Sequence, residues 1–443
     1  MRRLVLAAAF LLTACGSLAA QNALSRREQR IRAAIAATRD EQVAYLQRVV
    51  DIPSATLDLA GVRRVGEAFR ASFDSLGFRT TWVQMPAAMG RAGHLVAEHR
   101  GRSGKARILL IGHFDTVLEP TGPTFVRQDS LARGTGSTDM KGGDVVILYA
   151  LKALQRAGAL KDLNITAVFT GDEEDCGEPR PLARQALTDA ARHSDVSLAF
   201  EGGTTSLATI ARRGISGWRL TTTGKQAHSA GIFSGAGYGA VYEMARILDA
   251  FRAQLAGEQY LTFNAATLLA GTDVAFDTAT TSGTAASKTN IVPRQAVAAG
   301  DLRFISPEQL ERTRLKMREI VARHLPGTDA SITFSDGYPS MPPTEGNSRI
   351  LAVYDTASQA LGYGPVTAMD PGLRGAGDIS FVAPFTDGLE GLGSLGEGDH
   401  SPDEWVNLKA LPMQTERAAL TIARLGARPA RQFAHQEKAA PTK

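Results

Sequence analysis

The sequence predicts an α/β layered sheet domain interrupted by a second, inserted unit of βαββαβ order. Three observations predict it. Short β-branched runs alternate with helical stretches in the first half, histidine and acids fall where those runs end, and the order of elements changes from about Gly217 onward. "REQRIRAAIAATRDEQVAYLQRVVDIPS" carries apolar residues at helical spacing and stops at the proline of "DIPS". "GHLVAEHR", "ARILLIGHFD", "LNITAVFTGDEE" and "DVSLAFEGG" read as strands, with "KGGDVVILYALKALQRAG" as a helix between two of them. The unbroken apolar core of "ILLIG" suits a strand covered on both faces. In such sheets ligands sit outside the carboxyl ends of the strands, and His113, Asp115, Glu173, Glu174 and Glu201 all fall there.

The inserted unit reads as strand "GWRLTTTG", helix "GAVYEMARILDAFRAQLAG", strands "YLTFNAATLLAG" and "AVAAGDLRFI", helix "SPEQLERTRLKMREIVARHL" and strand "ASITFSDG". That order is ferredoxin-like. The first domain resumes near Tyr338, where "NSRILAVYDTASQALG" and "HSPDEWVNLKALPMQTERAALTIARL" supply its remaining helices.

Composition excludes some classes. The formal charge is +4 over 443 residues and no stretch is a concentrated basic stripe, so a pI near 9.1 does not argue for nucleic acid. No internal apolar run is long enough to span a bilayer. The first residues, "MRRLVLAAAFLLTACGSLAAQN", have the basic start, short apolar run and small residues of a secretory signal peptide. "LTAC" resembles a bacterial lipobox that would lipidate Cys15, and "SLAA" suits ordinary cleavage near Gln21. The expectation is an exported periplasmic or secreted protein that touches a membrane only if Cys15 is lipidated. Either cleavage leaves Cys176 without a partner, so no intrachain disulfide is expected.

"VFTGDEEDC", Val168 to Cys176, is an apolar strand that runs into four consecutive acids. Taken alone, it is a solvated acidic turn. Four further segments change that reading: "GHFDTV" with His113 and Asp115, "GSTDMKGG" with Asp139, "AFEGG" with Glu201 and "GDHSPDEWV" with His400. Histidine and carboxylates on several strand ends, with no cysteine cluster, suit catalytic rather than structural zinc.

These segments, in this order, resemble the zinc exopeptidase family of bacterial glutamate carboxypeptidase, aminoacylase, acetylornithine deacetylase and succinyl-diaminopimelate desuccinylase. The resemblance runs from "DIPSAT" through "EWVN". It implies a zinc-exopeptidase-like catalytic domain in two parts, 25–215 and 337–427, around a lid and dimerisation domain at 216–336. A leader at 1–20 and a polar, disordered tail at 428–443 complete the division.

The resemblance also implies a site. His113 and Glu201 would hold one Zn²⁺, Glu174 and His400 a second, and Asp139 would bridge them, with Co²⁺ or Mn²⁺ able to substitute. Asp115 would fix the tautomer of His113. The Asp139–Met140 peptide would be cis. Glu173 would take a proton from the attacking water and hand it to the leaving nitrogen. Asp172 and Asp175 would face solvent. In the lid, "GKQAHSAG" resembles the motif whose histidine, here His228, crosses a homodimer interface to donate to the oxyanion. "TNIVPRQAVAAGDLRF" resembles the segment whose asparagine and arginine, here Asn290 and Arg303, hold a substrate carboxylate. "LRGAGDIS" places Gly375 in a glycine-rich turn near the site.

The implied activity is release of an amino acid from an amide beside a free carboxylate, in small peptides or N-acyl amino acids. A glutamate-carboxypeptidase-like enzyme leads, and an N-acyl-amino-acid deacylase or dipeptidase is the alternative. A binding lipoprotein without catalysis is the remote one. One departure bears on specificity: "SDGYPSMPP" carries Tyr338 where the glutamate carboxypeptidase pattern has an arginine, and Arg212 or Arg213 of "ARRG" is the candidate to compensate.

Overall fold

The computed structural model describes residues 23–120 and 124–433. The leader, with Cys15, and the tail beyond Phe433 lie outside the described residues. No helix among the described residues is long and apolar enough to cross a membrane. The chain forms two compact units. The first runs through Ile210 and includes Pro343–Met369 and the chain from Phe381; the second comprises Ala211–Pro342 and Asp370–Ser380. The inserted unit thus begins and ends a few residues outside the expected 216–336, and the glycine-rich turn of 370–380 joins it.

The first unit is built on a six-stranded sheet. Its order is Arg79–Val83, His94–His99, Asn164–Thr170, Arg107–His113, Val196–Ala199 and Asp387–Leu389. The first two pairings are antiparallel and the remaining three parallel. Arg107–His113 is buried at every residue after the first, as its apolar run requires. Its C-terminal end is pinned by aromatic packing. Phe114 stacks on Phe169 with ring centroids 5.0 Å apart, and on Phe69 at 5.3 Å. Truncating Phe114 to alanine would cost about 3–5 kcal/mol and loosen His113 and Asp115 on either side of it.

The helix Lys141–Arg156 is apolar almost all round, and it is correspondingly buried, packed against Leu411–Gly426 and the first two helices, Arg26–Ala36 and Arg39–Val50. Gly143 lets its first turn approach the sheet. A Cβ there would lie 1.9 Å from the carbonyl oxygen of Phe200, the residue before Glu201. The glycines of "KGG" therefore set how closely the Asp139 turn approaches the Glu201 strand end.

The second unit is a four-stranded antiparallel sheet in the order Thr262–Gly271, Gln295–Phe304, Gly214–Gly224, Thr328–Asp336. Helices Gly239–Leu255 and Pro307–Val321 cover one face, over a core that includes Trp218, Leu220, Phe251 and Met317. The strand Gly214–Gly224 alternates buried and half-buried residues along most of its length, the period of a sheet covered on one side. The expected βαββαβ order holds. One addition was not legible: a hairpin of Asp273–Asp277 with Ser282–Ala286. Its second strand is exposed throughout and rich in alanine, serine and threonine, so no apolar alternation marks it.

Of the expected disordered tail at 428–443, residues 428–433 are ordered, and the rest lie outside the described residues. Ala430–Phe433 forms a 3₁₀ turn, and the Arg428 carbonyl accepts from the Ala106 N–H.

Candidate active site

Five candidate ligands converge at the carboxyl ends of the first unit's strands. His113 closes one strand, Glu174 lies in the turn after Asn164–Thr170, and Glu201 follows Val196–Ala199. Asp139 lies just before the helix Lys141–Arg156, and His400 lies in the loop before Trp405–Asn407. His113 Nε2 is 3.2 Å from Asp139 Oδ1 and 3.6 Å from Glu201 Oε1. His400 Nε2 is 3.2 Å from both Asp139 Oδ2 and Glu174 Oε2. The site is thus two triads that share Asp139, one oxygen to each. The Asp139–Met140 peptide is cis.

Two donors about 2.0–2.2 Å from one tetrahedral ion lie roughly 3.3–3.6 Å apart. The separations of 3.2 to 3.6 Å lie at or just below that range. Electrostatics agrees. Burial works against charge on His113, yet Asp115, Asp139 and Glu201 outweigh it and raise its pKa well above the ordinary value. Asp139 and Glu174 push His400 up to about 11. Burial would raise Asp139, but hydrogen bonds from the two histidines hold it well below the usual carboxylate range. Burial raises Glu174. In the metal-free chain, protons on the histidines meet a demand for positive charge that two divalent cations would satisfy.

Asp115 is fully buried and organises the turn beyond the strand. Its Oδ1 accepts the Glu173 N–H and its Oδ2 the Glu174 N–H, both at 3.0 Å, and Thr56 Oγ1 donates to Oδ2 at 2.7 Å. His113 Nδ1 lies 3.1 Å from the main-chain carbonyl of Asp115 and 3.5 Å from its carboxylate. The tautomer is therefore set first by the carbonyl. Glu173 is half-buried beside the ligand Glu174.

The acidic run divides differently from the expectation. Asp175 is exposed and paired with Arg91 at 2.6 Å. Asp172 does not face solvent. It is 0 % exposed and paired at 2.6 Å with Arg184, itself 1 % exposed, whose second nitrogen donates to the Asp172 carbonyl. A buried carboxylate needs a partner, and the arginine lies twelve residues further on.

Glu404 is a functional residue that the sequence reading missed. Nearly buried, it accepts the main-chain N–H groups of Gly136, Thr138 and Asp139 at 2.6, 2.6 and 2.9 Å. Burial raises its pKa to about 7, although these bonds oppose the shift. One carboxylate thus ties the aspartate shared by the two triads to the segment that carries His400. The acid four residues after His400 in "HSPDEWV" was the available signal. Thr56 was likewise missed, in "DIPSAT".

The remaining candidates lie in the second unit. His228 is exposed, and its Nδ1 accepts from the Ala230 N–H at 3.2 Å, which leaves the proton on Nε2. Asn290 is its neighbour, its carbonyl accepting from the Ser229 N–H. Arg303 pairs with Asp301 at 2.9 Å and stands opposite Thr262 and Ile215. The strand Gln295–Phe304 separates Asn290 from Arg303 by more than roughly 26 Å of extended chain. Within one chain the two do not grip a single carboxylate, so the joint role expected of them would draw one residue from each of two subunits. Gly375 has open space where a Cβ would be. Arg213 donates to Thr262 Oγ1 and the Gly372 carbonyl, both at 3.2 Å. Arg212 is buried, and Tyr338 accepts from the Ile215 N–H.

Comparison with known proteins gives a consistent picture. The sequence profile of Peptidase family M20/M25/M40 matches residues 109–424. Carboxypeptidase G2 from a Pseudomonas species is 29% identical over 411 residues, covering 88% of this chain and 91% of that one. Succinyl-diaminopimelate desuccinylase from Acidiphilium cryptum is 27% identical over 360 residues, covering 77% and 87%. Among solved structures, aminopeptidase PepT from Bacillus cereus superposes with a TM-score of 0.69 at 18% identity over 87% of this chain and 98% of that one. A dinuclear metal-binding peptidase from Bacillus subtilis gives 0.62 at 16% identity, over 88% and 99%.

Proposed function

The chain belongs to peptidase family M20/M25/M40, and from that premise we propose that it is an exported di-zinc carboxypeptidase releasing an amino acid from an amide beside a free carboxylate. The observation that carries this reading is the pair of triads sharing Asp139, with Glu173 held next to a ligand. A histidine and carboxylate set without cysteine favours zinc. Cations held there would polarise the scissile carbonyl and lower the pKa of a nearby water.

The chain's own residues do the rest. Glu173 takes the proton of the attacking water and returns it to the leaving nitrogen. Asp115 holds the turn that aims Glu173 and Glu174. His228, with its proton on Nε2, donates to the developing oxyanion of the partner subunit in a homodimer, and Asn290 beside it reaches the same place. Arg303 holds the substrate carboxylate in its planar fork. Gly375 offers main-chain contact to the substrate.

The second reading, an N-acyl-amino-acid deacylase or dipeptidase, is favoured by Tyr338, which offers no positive charge for a glutamate side chain. Arg213, already engaged by Thr262 and Gly372, is the available substitute. The test is amino-acid release from a panel of dipeptides and N-acyl amino acids by zinc-loaded and chelator-stripped protein. Zinc-dependent release supports the hydrolase, and the preferred residue decides between the readings. Absence of release from protein holding two zincs per chain would reject both substrate classes.

A further inference from the structure

The end of the first unit's sheet opposite the metal centre has a charge that no single stretch of sequence shows. Four segments meet there. The Ala106 N–H donates to the Arg428 carbonyl, Ala430 to Gly104, and Arg102 to Asp162. Lys105 Nζ donates to the Ala427 carbonyl at 2.6 Å, and Arg424 Nε to Glu28 at 2.7 Å. A hollow of about 330 Å³ lies among them, lined in part by Ser25, Arg27, Arg102, Lys105 and Arg424.

Segments 25–30, 100–105, 159–164 and 423–431 together hold ten arginines and lysines against two acids, Glu28 and Asp162. The whole chain's formal charge is only +4, so the remainder is net acidic and these four segments carry an excess of positive charge; at the same end of the sheet Asp195 is engaged by Arg107. Both acids are already engaged: Glu28 by Arg424, and Asp162 by Arg27 and Arg102 at 3.6 and 3.8 Å. Arg26, Arg30, Arg100, Lys161 and Arg431 are exposed and have no ion-pair partner among the described residues.

We propose that this basic pole docks the protein on an anionic phospholipid surface. Two further observations select lipid over other polyanions. The described chain begins at Ala23, beside this pole, so the apolar leader and Cys15 precede it directly. From Cys15, the seven residues 16–22 span at most roughly 25 Å, which holds a lipidated chain with this pole near the bilayer. The metal centre sits at the far end of the strand Arg107–His113, roughly 20 Å away along the sheet. Docking by the pole therefore leaves the catalytic end facing away from the lipid. The proposal stands whether or not the hydrolase reading holds, because it uses none of the same residues.

Each basic side chain brought close to an anionic surface strengthens binding roughly five-fold, and salt screens the effect. The test uses the chain from Gln21, without lipid, floated with vesicles containing about half phosphatidylglycerol or only phosphatidylcholine. Binding to the anionic vesicles at ~50 mM salt, lost near ~500 mM, is expected. The variant Arg26→Glu, Arg30→Glu, Arg431→Glu should bind at least roughly 100-fold more weakly, with unchanged melting temperature. Should it not fold, Arg100→Glu with Lys161→Glu makes the same test. Equal binding to neutral vesicles, no binding at low salt, or an unaffected variant overturns the proposal. Tighter binding to duplex DNA than to anionic vesicles overturns it in favour of nucleic acid.

Discussion

Glu404 accepts the main-chain N–H of Asp139 at 2.9 Å, so the carboxylate that positions the bridging ligand stands four residues from His400. Two candidate ligands separated by 261 positions are thereby held as one part. Glu404→Gln keeps the shape but removes the charge that three N–H dipoles converge on. The expected result is a loss of about 1–3 kcal/mol in stability and weaker retention of the metal held by Glu174 and His400 than of the other. Metal titration alongside thermal unfolding measures both, and equal weakening of the two sites would contradict the positioning role.

Glu173→Gln should leave both triads intact, because Glu173 contributes no ligand atom to either. Turnover should fall by about 10²–10⁴, the usual share of a general base. Metal analysis of the purified variant is the check. A variant that loses a metal would mean that Glu173, and not Glu174, is the ligand.

His228→Ala should spare folding and metal content, since the side chain is exposed and, among the described residues, makes only a local bond to Ala230. Its kcat should fall about 10²–10³-fold if it donates to the oxyanion. Mixing it with Glu173→Gln subunits should restore part of the activity, because a hybrid dimer contains one complete site. Mixtures no more active than their parents would argue that each chain uses its own histidine.

Metal uptake should release protons. In the metal-free chain Asp139 and Glu174 push His400 up to about 11, so the imidazole is protonated near neutrality and must lose that proton to bind a cation. The free form holds the extra proton, so lowering the pH favours it and weakens metal affinity. Calorimetry at pH 7 in two buffers of different ionisation enthalpy reads the exchange directly. Identical apparent enthalpies would show that no proton leaves.

Arg184→Ala should destabilise the fold by about 3–5 kcal/mol, because it strands the buried Asp172 carboxylate without its counter-charge. The turn carrying Glu173 and Glu174 starts at Asp172, so turnover should fall as well. Urea unfolding gives the first quantity. A loss below about 1 kcal/mol would mean that His94, 4.0 Å away, or the Gly177 N–H already balances the acid.

Much of the site could be read before any coordinates. His113, Glu174 and Glu201 follow apolar strands, at the end of the sheet where ligands sit, and the resemblance to the exopeptidase family singled them out as candidate ligands. The βαββαβ order was equally plain, since each strand and helix carried its own period. The hairpin at Asp273–Ala286 was not, because an exposed strand has no apolar alternation to announce it. Asp172 was misjudged for a related reason: a run of acids looks solvated until the arginine that neutralises one of them is found.

Residue type and local period, then, were enough to read the layered sheet and the inserted unit, because strand ends and helix faces are written in neighbouring residues, while the family and the candidate metal ligands came from the resemblance of five short segments. The fold alone decided that Glu404 grips the Asp139 turn, that Arg184 buries with Asp172, that Asn290 keeps company with His228 rather than Arg303, and that four distant segments holding ten basic residues meet at one pole. Hydrogen bonds and Coulomb fields depend on distance in space, and the chain's path sets those distances.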